Sequence, residues 1–403
     1  MFKIQSGALM KLLSVSFNHV KLFENGIFEL DLFASDKVPA SDESVTLLEK
    51  PLAINNVVAL AGINASGKTT ALRLMALALS VVQGGLTLHS PFAGHVEDLF
   101  DAPPRMKAVL WEEGQVFILD SVLAYRDSAP RLARGNFIFE EEVLYRFKGA
   151  PTKALFRQGA DALIDHSEEI MRRSTLDHAS KMFLADSVSI MTSQSGTIAS
   201  AYHASGDAPL PTSDNLLDVT DILRAFDADI EFLRVQEDGN LFELKFKRDE
   251  RPALLSRKEL EHVLSSGTLR GLSLVQSAVF SLACGGYFLL DEIENHLNKQ
   301  LVHVIVDLFV CKESNPYGAV LIFTTHYPEI LDSIHRKDCV YFLAREADGR
   351  TCIVKYSDRV DRIENKKSEV FLSNYIKGTA PRFADVAALR SYAKSITGGL
   401  HHE

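Results

Sequence analysis

The distribution of apolar and polar positions predicts a strand, a loop and a helix in the first quarter of the chain. Residues 12–17 (LLSVSF) and 26–33 (GIFELDLF) are strand-like runs joined by a polar link that contains the turn signal Asn25-Gly26. Residues 56–62 (NVVALAG) form a short apolar run, which is typical of a buried strand. Strong helix formers follow over residues 68–82, and two glycines end them.

The pattern weakens between residues 85 and 260. Residues 107–119 (KAVLWEEGQVFIL) and 135–147 (GNFIFEEEVLYRF) predict strands of an outer sheet, whereas residues 160–198 are predicted to be mostly helical. The Gly, Pro, Ser and Asp content of residues 203–215 (HASGDAPLPTSDN) indicates an exposed loop. No heptad pattern persists, so a long coiled coil is not expected.

Three parts of the chain are predicted. Residues 1–160 are expected to form an N-terminal lobe with antiparallel strands, and residues 236–403 a C-terminal lobe. Residues 161–235 are expected to be a helical insertion that serves as a partner-binding or lid region.

Composition and charge limit the functional classes. With 403 residues, 46% of them hydrophobic and 24% charged, the chain is expected to be globular. The net charge of -10 supplies no general attraction to nucleic acid, so nucleic-acid binding is not indicated. Residues 271–290 carry no charge, but several serines and the Gly285-Gly286 break favour a buried helix, a turn and a strand over a membrane span. The four cysteines match no zinc or disulfide spacing, and we expect a cytoplasmic protein with reduced thiols.

A glycine-rich loop follows the apolar run at residues 56–62. It fits G-x-x-x-x-G-K-[ST], a pattern whose backbone N–H groups and lysine bind a triphosphate. The strand before it and the helix after it are the context in which this motif binds phosphate. The predicted ATP-binding residues of this loop are Gly62, Ile63, Asn64, Ala65, Ser66, Gly67, Lys68, Thr69 and Thr70. No guanine motif N-K-x-D is present, which favours ATP over GTP.

A second motif, residues 285–294 (GGYFLLDEIE), supplies the carboxylates that such a loop needs. Its apolar run ends in Asp291-Glu292. Asp291, with the Thr69 hydroxyl, is predicted to hold Mg²⁺, and Glu292 is predicted to polarise the attacking water. A strand followed by a solvated helix start is the alternative interpretation.

Two further segments complete the predicted site. Residues 319–331 (AVLIFTTHYPEIL) end a strand-like run at His326, which is 35 positions after Asp291 and so can lie on an adjacent parallel strand. We predict that His326 contacts the γ-phosphate. Residues 264–274 (LSSGTLRGLSL) offer N–H groups and a hydroxyl to an anion through Ser265 and Gly267, although an ordinary helix N-cap explains the serines equally well.

In this order, the four segments resemble the ABC-type ATPases: phosphate loop, signature, magnesium strand and switch histidine. The long separation between Lys68 and Asp291 and the segments LLDEIENHLN and NYIKGTAPRF resemble the soluble AAA-type ATPases of prokaryotic defence operons. Those proteins are relatives of the overcoming-lysogenization-defect nucleases and of the SMC-type repair ATPases. The chain departs from the family signature L-S-G-G-Q at Ser266 and Thr268, and Asn298 replaces the usual aspartate.

The resemblance implies an α/β fold of the ABC-type P-loop ATPase class, with a mixed β-sheet core, an N-terminal antiparallel lobe and the helical insertion. It implies that Ser265 and Gly267 of one subunit close on the ATP held by another, so a homodimer, or a higher oligomer that contains this dimer, is expected. It also implies a glutamine that senses the γ-phosphate, and Gln83 and Gln115 both remain candidates.

The implied activity is hydrolysis of ATP to ADP and phosphate, with Mg²⁺ as cofactor. The expected function is an ATP-driven switch that senses or scaffolds and controls a separately encoded effector, a nuclease or toxin, in anti-phage defence. The alternative is a DNA-repair or chromosome-maintenance ATPase of the SMC type. A self-contained nuclease and a transporter subunit are disfavoured; for the nuclease, the pair Asp227-x-Asp229 would be the metal ligands, but it follows a helical pattern.

Overall fold

The computed structural model describes most of the chain. The described residues are 10–83, 88, 96–126, 137–177, 184–193, 198, 200–203, 220–236, 241–295, 297–360, 366–380 and 383–399. The described strands are β1 (Lys11–Phe17), β2 (Phe28–Asp31), β3 (Val45–Leu47), β4 (Ala53–Asn55), β5 (Val57–Gly62), β6 (Arg105–Glu112), β7 (Gln115–Tyr125), β8 (Phe137–Phe147), β9 (Ser167–Arg172), β10 (Ser200–His203), β11 (Ile230–Val235), β12 (Leu241–Phe246), β13 (Ala253–Ser256), β14 (Tyr287–Leu290), β15 (Val320–Thr325), β16 (Val340–Arg345) and β17 (Thr351–Lys355). The described α-helices are α1 (Lys68–Gln83), α2 (Lys153–Phe156), α3 (Ala160–Ile164), α4 (Thr220–Phe226), α5 (Arg257–Val263), α6 (Ser266–Cys284), α7 (Lys299–Val310), α8 (Lys367–Leu372) and α9 (Phe383–Gly399).

A mixed six-stranded sheet carries the predicted chemistry. Its order is β10-β14-β15-β5-β16-β17, in which only β17 is antiparallel to its neighbour. Strands β5, β14 and β15 are buried at every position, which explains their continuous apolar sequence. Because the three strands are parallel, their carboxyl ends meet at one edge of the sheet.

A second six-stranded sheet is antiparallel and has the order β2-β1-β6-β7-β8-β9. Helix α1 is buried along nearly all of its length, and its side chains belong to the main hydrophobic core together with residues of both sheets. The expected α/β class, the mixed sheet and the antiparallel N-terminal strands are therefore confirmed.

The expectation of a helical segment after residue 160 is wrong for the described residues. Helix α3 ends at Ile164, and β9 then pairs with β8 and completes the antiparallel sheet. Strand β10 pairs with β14, and β11 belongs to a third sheet. The six residues of β9, SEEIMR, have no strong strand propensity, and their pairing with β8 determines their conformation. Residues 204–215 of the predicted loop lie outside the described residues.

A small second core lies beside the main one. Strands β11, β12 and β13 form an antiparallel sheet whose inner face packs on helices α4 and α5 and on the start of α6. Helix α6 belongs to both cores, because Leu269 and Leu272 pack in the small core whereas Leu274 and Ala278 pack in the main core.

A buried lysine joins the antiparallel sheet to the amino-terminal edge of the mixed sheet. The ammonium of Lys11 donates to the carbonyl oxygens of Gly285 at 2.7 Å, Tyr317 at 3.1 Å and Gly318 at 2.6 Å. Gly285 ends helix α6 in a left-handed conformation. Lys11 therefore caps the carboxyl terminus of α6, where a cation is favourable.

Other expectations from the sequence have simple outcomes. The uncharged residues 271–290 form the buried helix α6, a turn and β14, and no described helix has the length and apolarity needed to cross a membrane. None of the four cysteines is in a disulfide. In the pair Asp227-x-Asp229, the first carboxylate accepts from the backbone N–H of Asp229 at 3.0 Å, and Arg248 lies 3.5 Å from the second.

Candidate nucleotide-binding site

The glycine-rich loop runs from the end of β5 to the start of α1. A Cβ atom on Gly62 would lie 2.2 Å from the Ser66 hydroxyl. Gly67 has φ +92°, and a Cβ there would lie 2.6 Å from a methyl group of Leu22. Both glycines are therefore required by the close path of the loop, as the motif predicts.

Lys68 is buried at the base of this loop. Its ammonium donates to the carbonyl oxygens of Gly62 at 2.9 Å and Ile63 at 3.0 Å. Burial lowers the pKa of Lys68, and the nearby carboxylates of Glu292 and Glu294 oppose that shift. Lys68 is thus a positive charge held by neutral oxygens, and an anion in the loop would be a stronger partner.

Two residues outside the motif brace the loop. The guanidinium of Arg345, at the end of β16, donates to the carbonyl oxygen of Ala65. The Thr351 hydroxyl donates to the carbonyl oxygen of Ser66 at 2.9 Å, and the Thr351 N–H donates to Leu22 at 2.8 Å. The sequence carries no local signal for these contacts, since they depend on how β16 and β17 pair beside β5.

Asp291 lies beside the loop, as predicted. The Thr69 hydroxyl donates to Asp291 Oδ2 at 2.7 Å, and the Thr324 hydroxyl donates to Oδ1 at 2.6 Å. Strand β15 lies between β14 and β5 and so provides Thr324 as the bridge. The Thr69 and Asp291 oxygens are hard donors of the kind that Mg²⁺ prefers.

Glu292 follows Asp291 with a left-handed backbone, φ +49°. Its N–H donates to the Thr324 hydroxyl at 2.7 Å, and the Asn295 amide donates to its carboxylate. A non-glycine residue in this conformation costs about 1–3 kcal/mol and is held there by the surrounding structure. The conformation directs the Glu292 side chain into the cavity beside the loop.

His326 follows β15 and lies next to two carboxylates. Its Nδ1 is 3.2 Å from Glu294 Oε1 and 3.9 Å from Glu292 Oε1. The His326 N–H donates to Glu294 Oε1 at 2.7 Å. Glu294 was not predicted from the sequence, although its position three residues after Asp291 is the available signal.

Most of the predicted loop residues, together with Glu292 and His326, meet around one cavity of ≈400 Å³, within the size range of small-molecule sites. Asp291 lies directly behind this cavity, hydrogen-bonded to Thr69. The residues that line it are Leu22, Asn64, Ala65, Ser66, Gly67, Lys68, Thr69, Thr70, Glu292 and His326.

The predicted signature residues are elsewhere on the chain. Ser265 is the N-cap of α6 and accepts from the Thr268 N–H at 3.0 Å, as the alternative interpretation expected. Ser265 and Gly267 are exposed, and neither is among the residues that line the cavity. Asn298 is likewise the N-cap of α7. The polar start of α6 is therefore exposed to solvent and does not contribute to the cavity of its own chain.

Neither candidate glutamine is near the cavity. Gln83 ends α1, about 22 Å along the helix from Lys68 at 1.5 Å per residue. Gln115 pairs with Glu112 at the tip of a hairpin, and the adjacent Trp111 pairs with Lys11, which lies at the opposite edge of the mixed sheet. The structure therefore places neither candidate where it could contact a γ-phosphate in this cavity, because Gln83 lies at the far end of α1 and Gln115 lies in a hairpin at the opposite edge.

Comparison with known proteins gives one family match. The family described as "AAA domain, putative AbiEii toxin, Type IV TA system" matches residues 57–332, which is more than half of the chain. No curated protein matches the chain. Among solved structures, the chain is similar to the SMC head domain from Thermotoga maritima, with 12% identity, TM-score 0.36, and coverage of 86% of this chain and 98% of that chain. It is also similar to the SmcHead bound to the C-winged helix domain of ScpA, with 14% identity, TM-score 0.43, and coverage of 85% and 96%.

Proposed function

The chain belongs to this family of AAA domains, and on that basis we propose that it hydrolyses ATP to ADP and phosphate and uses the reaction as a switch. The observation that carries the proposal is the Thr69–Asp291 hydrogen bond of 2.7 Å beside buried Lys68, at a cavity that Glu292 also lines. A buried cation, a carboxylate with a hydroxyl, and a second carboxylate are the groups that phosphoryl transfer to water requires.

Each residue has a chemical role in this proposal. The Lys68 ammonium exchanges its two carbonyl partners for phosphate oxygens, and the loop N–H groups orient the phosphates. Glu292 accepts a proton from the attacking water, and His326 contacts the γ-phosphate. Thr69 and Asp291 would hold Mg²⁺, which when bound neutralises phosphate charge.

The working site is proposed to be shared between two chains. Ser265 and Gly267 are exposed at the start of a 19-residue helix, whose N-terminus favours an anion. They do not line the cavity of their own chain. In a head-to-tail homodimer, these residues complete the site of the other subunit.

The proposed role of the switch is to control a separately encoded nuclease or toxin in defence against phage. The family description associates the domain with a "putative AbiEii toxin" of a "Type IV TA system", and the proposal takes from it only the connection with such systems. ATP-dependent closure would present different surfaces in the bound and free states, and an effector that binds one state is then retained or released by hydrolysis.

The direct test is the Glu292→Gln variant. We expect it to bind ATP normally and to hydrolyse it about 10²- to 10⁴-fold more slowly, because a positioned base is lost. Hydrolysis is measured by phosphate release, with Glu329→Gln, an exposed glutamate near the site, as control. Equal rates for wild type and Glu292→Gln would contradict the assigned role.

Glu292→Gln, together with Lys68→Ala, also separates the two candidate functions, effector control and an SMC-type repair or maintenance ATPase. Effector control predicts that the product of a neighbouring gene co-purifies with Glu292→Gln in ATP and not with Lys68→Ala. Strong stimulation of wild-type hydrolysis by linear DNA, without such a partner, would instead favour the SMC-type repair or maintenance function.

A further inference from the structure

Glu294 is a buried carboxylate to which the reaction outlined above assigns no role. Its side chain is 4% exposed, and it lies in the turn that follows β14. A buried carboxylate is costly to desolvate and is retained where it has partners or a function. Glu294 is not among the residues that line the cavity, whereas His326 is.

Glu294 contacts His326 at two places through one oxygen atom. Oε1 accepts from the His326 backbone N–H at 2.7 Å and lies 3.2 Å from the ring Nδ1. One carboxylate oxygen therefore contacts both the backbone and the imidazole ring of His326. Since Nδ1 is buried and His326 lines the cavity, Nε2 is the ring nitrogen available to a ligand.

Two polar atoms at this contact have unused hydrogen-bonding capacity. Among the described residues, His326 Nδ1 and Glu294 Oε2 are buried side-chain atoms without a hydrogen-bond partner. Although Nδ1 lies 3.2 Å from Glu294 Oε1, this approach lacks hydrogen-bond geometry. They belong to two side chains that already face each other. A small rotation of the imidazole or the carboxylate would form an Nδ1–H···O bond, and buried polar groups normally find such partners.

We infer that Glu294 is a positioning residue for His326: it accepts a hydrogen bond from Nδ1–H and so holds the ring with Nε2 facing the cavity, where the γ-phosphate is proposed to bind. This inference rests on the proposed ATPase function. A carboxylate behind a histidine fixes the tautomer and orientation of the ring in the same way in other catalytic and metal sites.

Glu294→Gln keeps the size of the side chain and an oxygen acceptor but removes its charge. We expect kcat for ATP hydrolysis to fall about 10- to 100-fold, the usual effect of losing an orienting partner. KM should change less than about twofold, because the orientation of His326 is expected to affect the hydrolysis step and not ATP binding. Glu329→Gln, which changes the same charge at an exposed site three residues after His326, leaves both constants unchanged.

A double-mutant cycle separates positioning from a structural role. If Glu294 acts through His326, Glu294→Gln causes no further loss in a His326→Ala background, whereas independent effects would add. Glu294→Ala, which also removes the backbone contact, should be slower than Glu294→Gln. Additive losses, or wild-type kcat in Glu294→Gln, would overturn the inference.

A spectroscopic measurement tests the same contact without hydrolysis. In ¹⁵N spectra of imidazole-labelled protein, the His326 signals are assigned by their absence in His326→Ala. The Nδ1 resonance should show a hydrogen-bonded proton in wild type, and this signal should shift in Glu294→Ala because its acceptor is removed. Identical spectra would overturn the inference, whereas absence of ATP hydrolysis by wild type would instead overturn the proposed function.

Discussion

The nucleotide cavity and the predicted signature region are built in different ways. Around the cavity, the loop, Asp291 and His326 follow three parallel strands of the main core, and hydrogen bonds through Thr69 and Thr324 connect them. The signature residues are exposed, and the helix that they begin packs first against the small second core. Hydrogen bonds within one chain thus hold the groups of the cavity in place. The signature residues, in contrast, do not line the nucleotide cavity of their own chain.

Helix α6 is the element that joins these two regions. Its first turns pack in the small core, its later turns pack in the main core, and its carboxyl terminus is capped by Lys11. A rigid helix transmits a displacement of one core to the other. On the proposed function, we therefore expect phosphate binding to depend on the main core alone and turnover to depend on both cores.

The largest expected effect comes from removing the cation of the cavity. Lys68→Ala should weaken ATP binding by roughly 10²- to 10⁴-fold, because two hydrogen bonds to charged phosphates, each worth about 1.5–3 kcal/mol, are lost. Titration with a fluorescent ATP analogue measures this. Lys258→Ala, a change at an exposed lysine near the signature, is the control, and equal affinities for the two variants would contradict the assigned role of Lys68.

Mixed dimers test whether the exposed signature acts on another chain. Ser265→Arg should bind ATP and fail to hydrolyse it, because a large cation separates the subunits. Mixing it with Lys68→Ala should restore roughly a quarter of wild-type activity, since half of the dimers are mixed and each has one intact shared site. A mixture that exchanges subunits and stays inactive would favour a site within one chain.

A matched pair of core substitutions compares the two cores. Phe242, in β12, and Phe288, in β14, are both buried, and truncation of either to alanine should cost about 3–5 kcal/mol of unfolding free energy. Phe242→Ala should slow hydrolysis and leave ATP affinity unchanged, whereas Phe288→Ala should affect both. Denaturant unfolding and nucleotide titration measure these effects, and loss of ATP affinity in folded Phe242→Ala would contradict the separation of roles.

The smallest effect concerns Lys11 at the end of α6. Burial lowers the pKa of Lys11 to about 7, from an unfolded value of 10.5. Between these values the unfolded chain binds the proton more tightly, so the contribution of Lys11 to stability rises with pH, by at most about 1.4 kcal/mol per pH unit. The three carbonyl partners favour the charged form and reduce this slope.

Lys11→Met should flatten the dependence of unfolding free energy on pH between 7 and 10. Denaturant titrations at several pH values measure the difference from wild type, and Lys258→Met provides the exposed control. Parallel pH curves for Lys11→Met and wild type would show that the ammonium stays charged throughout, held by its carbonyl partners.

Local patterns in the sequence were enough to predict the phosphate loop and the strands that precede Asp291 and His326. The motif places its glycines where the loop needs them: a Cβ on Gly62 would meet Ser66, four residues away, and Gly67 has φ +92°. The apolar runs before Asp291 and His326 are typical of buried strands. These signals are short-range, so one sequence is enough to read them. The placement of both motifs at one sheet edge followed from the parallel pairing they predict.

The conformation of β9 and the roles or positions of Arg345, Glu294 and Gln115 depend on contacts between distant segments. The sequence around β9 favoured a helix, and pairing with β8 made it a strand. The roles of Arg345 and Glu294 depend on contacts with residues 280 and 32 positions away, and the position of Gln115 at the opposite edge depends on the hairpin that contains it. Contacts between distant segments leave no periodic pattern in the chain, because their energy comes from packing and pairing that exist only once the sheets have formed.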